Sequence, residues 1–347
     1  MNTPQLTLLM PMYNAEEFVE QTLKSLKNQT FQDWKLIIIN DGSTDGSAGI
    51  CHTYAESDSR IQLINQENCG VAETRNRLLS YIDTPYFSFV DADDDLDLTL
   101  YEVLMSHMLK MDVDLVMCGI LEKKYVMDSI VDEIERTYPT NLLLLDEMQD
   151  SFMTFSNTLL LNSLCNKIYK TKVVKENLIK FADLKTGEDI LFNLEYLKNI
   201  NCLYVDERAL YCYIRRNLDS ITVSYIDDLY EKGLIIHRAI ESFLETKDLL
   251  TESNKRLINS NHLTSVFGSF LNLYHKDCPL TLKDKKQVVK SIIDRPYVQH
   301  CAAQNLNQKN IIGLTSHLIK LHSPITILVC FLIISRVRML RKYFRLK

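Results

Sequence analysis

The chain has 347 residues, of which 46% are hydrophobic and 24% charged, a balance typical of a globular protein with room for two domains. Its formal charge is −6, but residues 336–347 carry six positive and no negative charges, which leaves −12 for the remainder. Such an acidic body argues against a nucleic-acid-binding protein. Nine cysteines without a Cys-x-x-Cys pair argue against a disulfide framework or zinc site and favour the cytoplasm; the N-terminus also lacks a secretory signal pattern.

The first 95 residues alternate between short apolar runs and longer amphipathic segments. They predict strands at residues 6–10, 35–40, 61–65 and 86–90, and helices at 15–27, 45–55 and 71–82. Because the strands are apolar throughout and alternate strictly with helices, they predict a parallel sheet that is covered on both faces.

Polar residues follow each predicted strand, beginning in chain order with Tyr13, Asp41, Gln66 and Asp91. The carboxyl ends of parallel strands meet at one edge of a sheet, and ligands of open α/β sheets bind outside that edge. We therefore expect these polar groups to converge on one ligand site.

Beyond residue 100 the pattern is less regular. Helices are predicted at 100–110 and 188–198, a strand at 114–122, and one continuous helix from Leu229 to about Tyr274. Residues 123–165 fit no single pattern.

The stretch FVDADDDLD, residues 89–97, holds five carboxylates in nine positions. A calcium loop would need glycine where Leu96 stands and a helix, not a strand, before it. Three interpretations stay open: a phosphohydrolase with Asp91 as nucleophile, a solvated turn whose Asp95 and Asp97 begin the next helix, or a metal that Asp91 and Asp93 hold against phosphates.

Arg75 stands on the apolar face of its predicted helix, because its neighbours at helical spacing are Val71, Ala72, Leu78 and Leu79. A guanidinium that faces inward needs an anionic partner. The alternative is a side chain whose stem is buried and whose charged end reaches water.

Two further stretches also have a structural alternative. Asp41 either belongs to an Asp-Gly turn before a helix or accepts hydrogen bonds from a nucleobase or ribose. In TGEDILF, residues 186–192, Thr186 and Asp189 have the spacing of a helix capping box.

Five segments in a fixed order carry a family resemblance: LMPMYNAEE, IIINDGSTDGS, ENCGVAETRNRLL, FSFVDADD and TGEDILF. Together they resemble family 2 of the inverting glycosyltransferases, which has the GT-A fold, over roughly residues 5–220. The segments at 165–170 and 213–222 resemble the bacterial capsule and wall-polymer members of that family.

The resemblance implies a set of nucleotide-sugar-binding residues: Pro11, Tyr13, Glu16, Asp41, Arg75, Asn76, Asp91 and Asp93. Within this set Asp41 corresponds to the residue that binds the uracil edge. Asp93 corresponds to the ligand of a divalent Mn or Mg ion, with Asp91 on ribose or sugar and as a second candidate metal ligand.

The resemblance also implies Asp189 as the catalytic base, with Glu188 beside it. One base suits the chemistry, because an inverting transfer needs a carboxylate to take the proton from the attacking acceptor hydroxyl. Arg215, Arg216 and Ser220 are candidates for contacts with the diphosphate or the acceptor. The acceptor-binding tryptophan motif of the family is missing, since Trp34 is the single tryptophan.

The predicted fold is thus α/β of GT-A type, a Rossmann-like and mostly parallel sheet with helices on both faces, followed by a helical C-terminal region. Residues 1–100 are predicted as the nucleotide-sugar-binding half, 101–225 as the acceptor-binding half, and 226–322 as the helical region. The last segment, 323–347, is predicted as an amphipathic basic tail that associates with the membrane.

The apolar run at 323–335 is too short to span a bilayer. After it, Val337, Leu340 and Phe344 keep helical spacing between basic residues. This pattern indicates either a helix in the interface of the inner membrane leaflet or a helix docked on the protein.

The predicted function is transfer of a hexosyl group from a nucleotide sugar, expected to be UDP-linked, to a hydroxyl of a polysaccharide or lipid-linked saccharide in surface polysaccharide synthesis. The predicted location is cytoplasmic, peripheral on the inner face of the plasma membrane. The alternatives are a Rossmann-like phosphohydrolase that uses Asp91 and a non-enzymatic metal-binding module.

Overall fold

The computed structural model describes residues 4–126, 129–149, 151–184, 186–216 and 225–345. The chain divides into two compact units, Met1–Leu218 with Phe243–Leu249, and Asp219–Ser242 with Leu250–Lys347.

The strands, all within the first unit, are β1 Leu6–Met12, β2 Trp34–Asp41, β3 Ile61–Gln66, β4 Tyr86–Phe89, β5 Asp95–Leu96, β6 Leu115–Val126, β7 Ser129–Arg136, β8 Asn141–Leu144, β9 Lys167–Lys170 and β10 Cys202–Arg216. The α-helices of the same unit are α1 Val19–Lys27, α2 Ser47–Ser57, α3 Val71–Ser80, α4 Leu100–Met111, α5 Phe152–Ser156, α6 Thr171–Glu176 and α7 Glu188–Lys198. They are followed by α8 Leu229–Thr246, α9 Glu252–Asn272, α10 Leu282–Ile293, α11 Pro296–Gln304, α12 Ile311–Lys320 and α13 Pro324–Arg345.

The centre of the first unit is a parallel quartet of strands in the order β3, β2, β1, β4. β1 pairs with β2 from Leu6 opposite Trp34 to Met12 opposite Asn40. Leu8 on β1 and Ile38 on β2 are fully buried, as expected for strands that are covered on both faces. The predicted parallel core is therefore confirmed.

The remaining strands make the sheet mixed. β9 is antiparallel to both β4 and β6, and so joins the quartet to a long parallel pair, β6 and β10. The full ten-stranded sheet has the order β3-β2-β1-β4-β9-β6-β10-β5, with β7 added to β6 and β8 added to β10. The ambiguous segment 123–165 contains β7, β8 and short helical turns.

Two helix predictions were wrong in their extent. α1 begins at Val19 and not at residue 15, because Asn14 adopts a left-handed conformation and Ala15 starts a turn in which Phe18 and Val19 donate to its carbonyl oxygen. The predicted continuous helix from 229 to 274 is two helices. Asp248, with φ of +54°, follows the end of α8, and the Thr251 side chain accepts from the Asn254 N–H to cap α9.

The second unit is helical, as predicted, with a core of its own. Its buried side chains include Phe267 and Phe270 of α9, Val289 of α10, Val298 of α11 and Phe331 of α13. α13 thus docks on this unit along one face. No helix in the described ranges combines the length and the apolar character that crossing a membrane requires.

Candidate active site at the carboxyl edge of the sheet

The loops after β1 and β2 are bonded to each other. The Asn14 N–H donates to Ser43 Oγ at 3.0 Å, and Asn14 Oδ1 accepts from the Thr44 N–H at 2.9 Å. Glu16 Oε2 accepts from the Gly46 N–H at 2.9 Å. These bonds hold two strand ends together at the edge where a ligand site was expected.

The predicted nucleotide contacts of the first loop differ in exposure. Pro11 is half-buried within β1, whereas the Tyr13 side chain is 53% exposed beside the strand end. Glu16 is engaged by the backbone of the second loop, so its observed contact organises the edge. A direct contact with nucleotide stays a prediction for all three.

Asp41, at the end of β2, is buried and fixes the loop before α3. Its carboxylate accepts hydrogen bonds from Gln66 Nε2 at 2.7 Å and from the N–H groups of Cys69 and Gly70, each at 2.9 Å. Burial acts to raise the pKa of Asp41, but these hydrogen bonds hold that pKa below its usual range. Asp41 is therefore ionised and holds the loop before α3 in place. The predicted hydrogen bond to uracil would be made in addition to these contacts.

Arg75 of α3 is the centre of the site. Its Nη1 lies 2.9 Å from Glu188 Oε1 and 2.5 Å from Asp189 Oδ1, and its Nη2 lies 3.5 Å from Asp91 Oδ1. Only 7% of its side chain is exposed, so the expectation that Arg75 faces inward and meets an anion agrees with its position. Burial opposes the charged form, but the carboxylates of Asp189, Asp91 and Glu188 raise the pKa of the guanidinium.

Asp189 has an altered proton affinity. Burial raises the pKa of its carboxyl to about 7; Arg75 opposes this shift, whereas Glu188 and Asp91 add to it. Its side chain is still 30% exposed and so reaches the solvent side of the site. A carboxyl with a pKa near neutrality can exchange a proton under physiological conditions, which suits a general base.

The predicted capping box at 186–189 was wrong. α7 begins after Gly187, whose φ of +88° suits glycine, so Thr186 lies one residue before the N-cap position. Asp189 instead directs its carboxylate at Arg75. The local pattern could not reveal this, because the partner is 114 residues away.

The acidic stretch is divided by its contacts. Asp91 is paired with Arg75 and Asp93 is exposed, while Asp97 accepts from the Thr99 N–H before α4. Asp95 lies in β5 and does not begin the next helix as expected. A strand, β4, precedes the stretch, as the argument against a calcium loop required.

Asp94 is a residue whose role the sequence did not reveal. It is 1% exposed and accepts from the Tyr211 hydroxyl at 2.7 Å and from the Ile214 N–H at 2.9 Å. Burial, together with Asp93 and Asp91, raises its pKa well above the usual range. Asp94 thereby ties the segment of Asp91 and Asp93 to β10, and no local signal could have shown it, because both partners are more than a hundred residues away.

Asn76 and Phe181 form a second unpredicted link. The Asn76 side chain donates to the Phe181 carbonyl oxygen at 3.1 Å and accepts from its N–H at 2.8 Å. The Phe181 ring stacks on Phe192 of α7 with centroids 4.3 Å apart and lies 5.6 Å from the Arg75 guanidinium. Asn76 thus positions the aromatic wall beside Arg75, and its predicted contact with the sugar nucleotide stays a prediction.

Arg215 of β10 belongs to an ion cluster other than that of Arg75. Its Nη1 donates to Glu122 Oε1 at 2.8 Å, and Arg136 donates to the other oxygen of the same buried carboxylate. Tyr213, two residues before Arg215 on the same strand, is 37% exposed. The side chain of Arg216 and all of Ser220 lie outside the described residues.

The carboxylates present fit a divalent metal of the predicted kind. Within the described ranges no cluster of three or more His, Cys, Asp or Glu side chains could enclose an ion. Mg²⁺ and related hard ions bind through one or two carboxylates when phosphate oxygens and water complete the shell. Asp93 and Asp91, which follow β4, are carboxylates that would suit such a partial set, and their binding of a metal stays a prediction.

Residues 7–174 match the family model described as Glycosyl transferase family 2. "Putative glycosyltransferase EpsH" of Bacillus subtilis is 28% identical over 264 residues, which cover 74% of each chain. "Teichoic acid poly(glycerol phosphate) polymerase" of Staphylococcus epidermidis is 34% identical over 209 residues, 57% of this chain but 26% of that protein. The structure of S. aureus TarS in complex with UDP-GlcNAc superposes with a TM-score of 0.67 at 21% identity and covers 94% of this chain and 91% of that one.

The fold is therefore GT-A, and the protein is a transferase of the glycosyltransferase class. Residues 7–174 are the part of the chain that carries the sequence pattern of glycosyltransferase family 2, whose model they match.

Replacement of Arg75 by glutamine should lower the free energy of unfolding by about 3–5 kcal/mol, because buried carboxylates lose the cation that compensates them. The loss should be larger at pH 8 than at pH 5, since protonation removes the unpaired charges at low pH. Urea unfolding at both pH values measures this. Lys24→Gln, which removes an exposed cation, should stay within about 0.5 kcal/mol of the wild type. A loss below about 1 kcal/mol for Arg75→Gln would mean that water already compensates the carboxylates.

Proposed function

We propose that the protein is an inverting glycosyltransferase that moves a sugar, of hexosyl type, from a UDP-sugar to a hydroxyl of a polysaccharide or lipid-linked saccharide in surface polysaccharide synthesis. The observation that carries the proposal is the ion cluster of Arg75, which gathers Asp91 from the end of β4 and Asp189 from the start of α7. A candidate donor-binding carboxylate and a candidate base thus share one cation.

The donor assignment has three supports. Asp41 at the end of β2, and Asp91 and Asp93 after β4, lie at the carboxyl edge of two parallel strands that both pair with β1, an edge that suits a nucleotide in this fold class. The Nε of Arg75 is buried and makes no hydrogen bond with the described part of the protein, so a donor N–H is left for an oxygen of a ligand. TarS, a structural neighbour, was solved with UDP-GlcNAc, which favours a UDP-sugar among nucleotide donors.

The proposed chemistry uses Asp189 as base. Its carboxylate takes the proton from the acceptor hydroxyl while that oxygen forms a bond to the anomeric carbon, and the bond from this carbon to the diphosphate oxygen breaks with its electron pair. The anomeric configuration is thereby inverted. A divalent metal bound by Asp93, with Asp91 as second ligand, would neutralise charge on the departing diphosphate. Arg75 orients Asp189, and Glu188 shares that cation.

The acceptor is proposed to lie along β10. This strand is joined to the acidic segment through Asp94, and at that place it also carries the exposed side chains of Tyr213 and Arg215. An exposed aromatic ring and a guanidinium suit a saccharide that carries hydroxyl or anionic groups. The relatives named for surface polymers, such as the teichoic acid polymerase, favour a polymer of the cell envelope.

The two rival functions have weaker support. A phosphohydrolase would need Asp91 as a nucleophile, but Asp91 is paired with Arg75, next to a second carboxylate that suits a base. A metal-binding module that is not an enzyme would not require a carboxyl with a raised pKa such as that of Asp189, whereas a general base does.

Asp189→Asn should reduce sugar transfer by about 10²–10⁴-fold, the usual contribution of a general base, while UDP-sugar affinity changes little. The donor for the assay is the UDP-sugar that stabilises the protein most in a thermal-shift screen with Mn²⁺. UDP release and donor binding are then measured separately. Glu195→Gln, on an exposed position of the same helix, should retain full activity. Lost donor binding in Asp189→Asn would refute its assignment as base.

The pH dependence should follow the Asp189 carboxyl. Because its pKa is raised to about 7, the fraction of ionised base falls as pH decreases below that value. The ratio kcat/KM should therefore decrease about tenfold per pH unit on the acidic side of pH 7. Thermal unfolding at each pH separates this effect from denaturation. An acidic limb centred near pH 4 would show that a carboxyl with an ordinary pKa controls the rate.

Asp93→Ala should abolish the increase in UDP affinity that Mn²⁺ causes, because the proposed metal loses its carboxylate ligand. Calorimetric titration with UDP, with and without Mn²⁺, measures this increase. Asp83→Ala removes an exposed carboxylate elsewhere in the same unit and should leave the increase intact. An unchanged Mn²⁺ effect in Asp93→Ala would remove Asp93 from the site.

A further inference from the structure

One face of helix α13 packs against the core of its own unit. Ile327, Leu328 and Phe331 are at most 4% exposed. The Phe331 ring lies 5.0 Å from that of Phe267 and 5.3 Å from that of Phe270, both on α9. This packing accounts for the apolar character of only one side of the helix.

The other face of α13 is also apolar, although it is exposed. The exposed fractions are 58% for Ile325, 51% for Val329, 37% for Leu332, 58% for Ile333 and 43% for Val337. Ile325, Val329, Ile333 and Val337 follow one another at intervals of four residues, and Leu332 is three residues after Val329, so the five positions form one stripe along the helix. A surface helix with one docked face normally carries polar residues on the opposite face. An exposed apolar stripe in that position therefore indicates a binding surface.

Charge in this region is strongly biased. After Asp294 the sequence contains no Asp or Glu, whereas it contains nine Lys or Arg residues. Six of those nine lie in residues 336–347, and the first of them, Arg336, is exposed on α13 directly after the apolar stripe. Although the whole chain has a net charge of −6, its C-terminal segment, which follows the apolar stripe in the sequence, is strongly basic.

These features define the partner chemically. Apolar side chains next to an excess of basic residues suit the interface of a bilayer with anionic lipids, where the apolar stripe enters the acyl boundary and the cations meet the headgroups. A second copy of the chain suits the region less well, because a symmetric contact would bring two segments of the same positive charge together.

We propose that the exposed stripe of α13, formed by Ile325, Val329, Leu332, Ile333 and Val337, docks the protein on an anionic lipid bilayer while the opposite face of α13 stays packed on its own unit. The helix lies in the plane of the interface. Docked-helix and membrane-helix interpretations of this segment are therefore compatible, because they use opposite faces.

The test is sedimentation of the full chain with vesicles of phosphatidylcholine, with and without phosphatidylglycerol. The wild type should bind vesicles that contain phosphatidylglycerol, and this binding should weaken as salt increases. The triple variant Ile325→Ser, Val329→Ser, Ile333→Ser should bind at least about tenfold more weakly, because it loses apolar area that would enter the bilayer. Its unfolding midpoint should be unchanged, since the three positions are exposed.

A control is Leu282→Ser, which removes an even more exposed apolar side chain, 73% exposed, from α10 of the same unit and should not change vesicle binding. Equal binding of the triple variant and the wild type, or no preference for anionic vesicles, would overturn the proposal. So would a dimer in sedimentation velocity that only the triple variant abolishes. UDP release without vesicles should be the same in all forms, so the outcome is independent of the proposed transferase function.

Discussion

The site depends on the ion pairs that compensate the buried positive charge of the Arg75 guanidinium. Arg75 cannot be charged and buried without anions, and the anions it meets belong to two segments that are far apart in the chain: Asp91 after β4, and Glu188 with Asp189 at the start of α7. Because the same pairing that compensates Arg75 also links these segments, the geometry of the site and the proposed chemistry depend on one interaction. The low polarity around the cluster also raises the pKa of Asp189 towards neutrality.

The surrounding contacts keep this cluster in place. Asp41 holds the loop that leads into α3, Asp94 ties the acidic segment to β10, and Asn76 holds Phe181 against Arg75 and α7. Each of these polar side chains is bonded to the backbone of another segment. Asp41, Asp94 and Asn76 are residue types that are common in active sites. In this structure, however, their observed contacts hold segments of the protein together.

The sequence predicts the features that depend on local patterns. The strands of the parallel quartet were predictable because each is a short and mainly apolar run between helical segments, and the inward direction of Arg75 followed from its apolar neighbours at helical spacing. The anionic partners of Arg75 could not be derived from spacing, since they lie up to 114 residues away. The capping box at Thr186 failed because Gly187 takes the cap position, and the break before α9 was missed because the Thr251 cap is a weak signal within a long apolar pattern.

The central claim is that the carboxyl edge of β1, β2 and β4 binds the donor diphosphate beside Arg75. A crystal structure with UDP and Mn²⁺ tests it most directly. The account predicts the diphosphate at this edge, with Mn²⁺ in contact with Asp93 and the Arg75 guanidinium still in contact with Glu188 or Asp189. A nucleotide bound elsewhere, or Mn²⁺ without contact to Asp93 or Asp91, would contradict it.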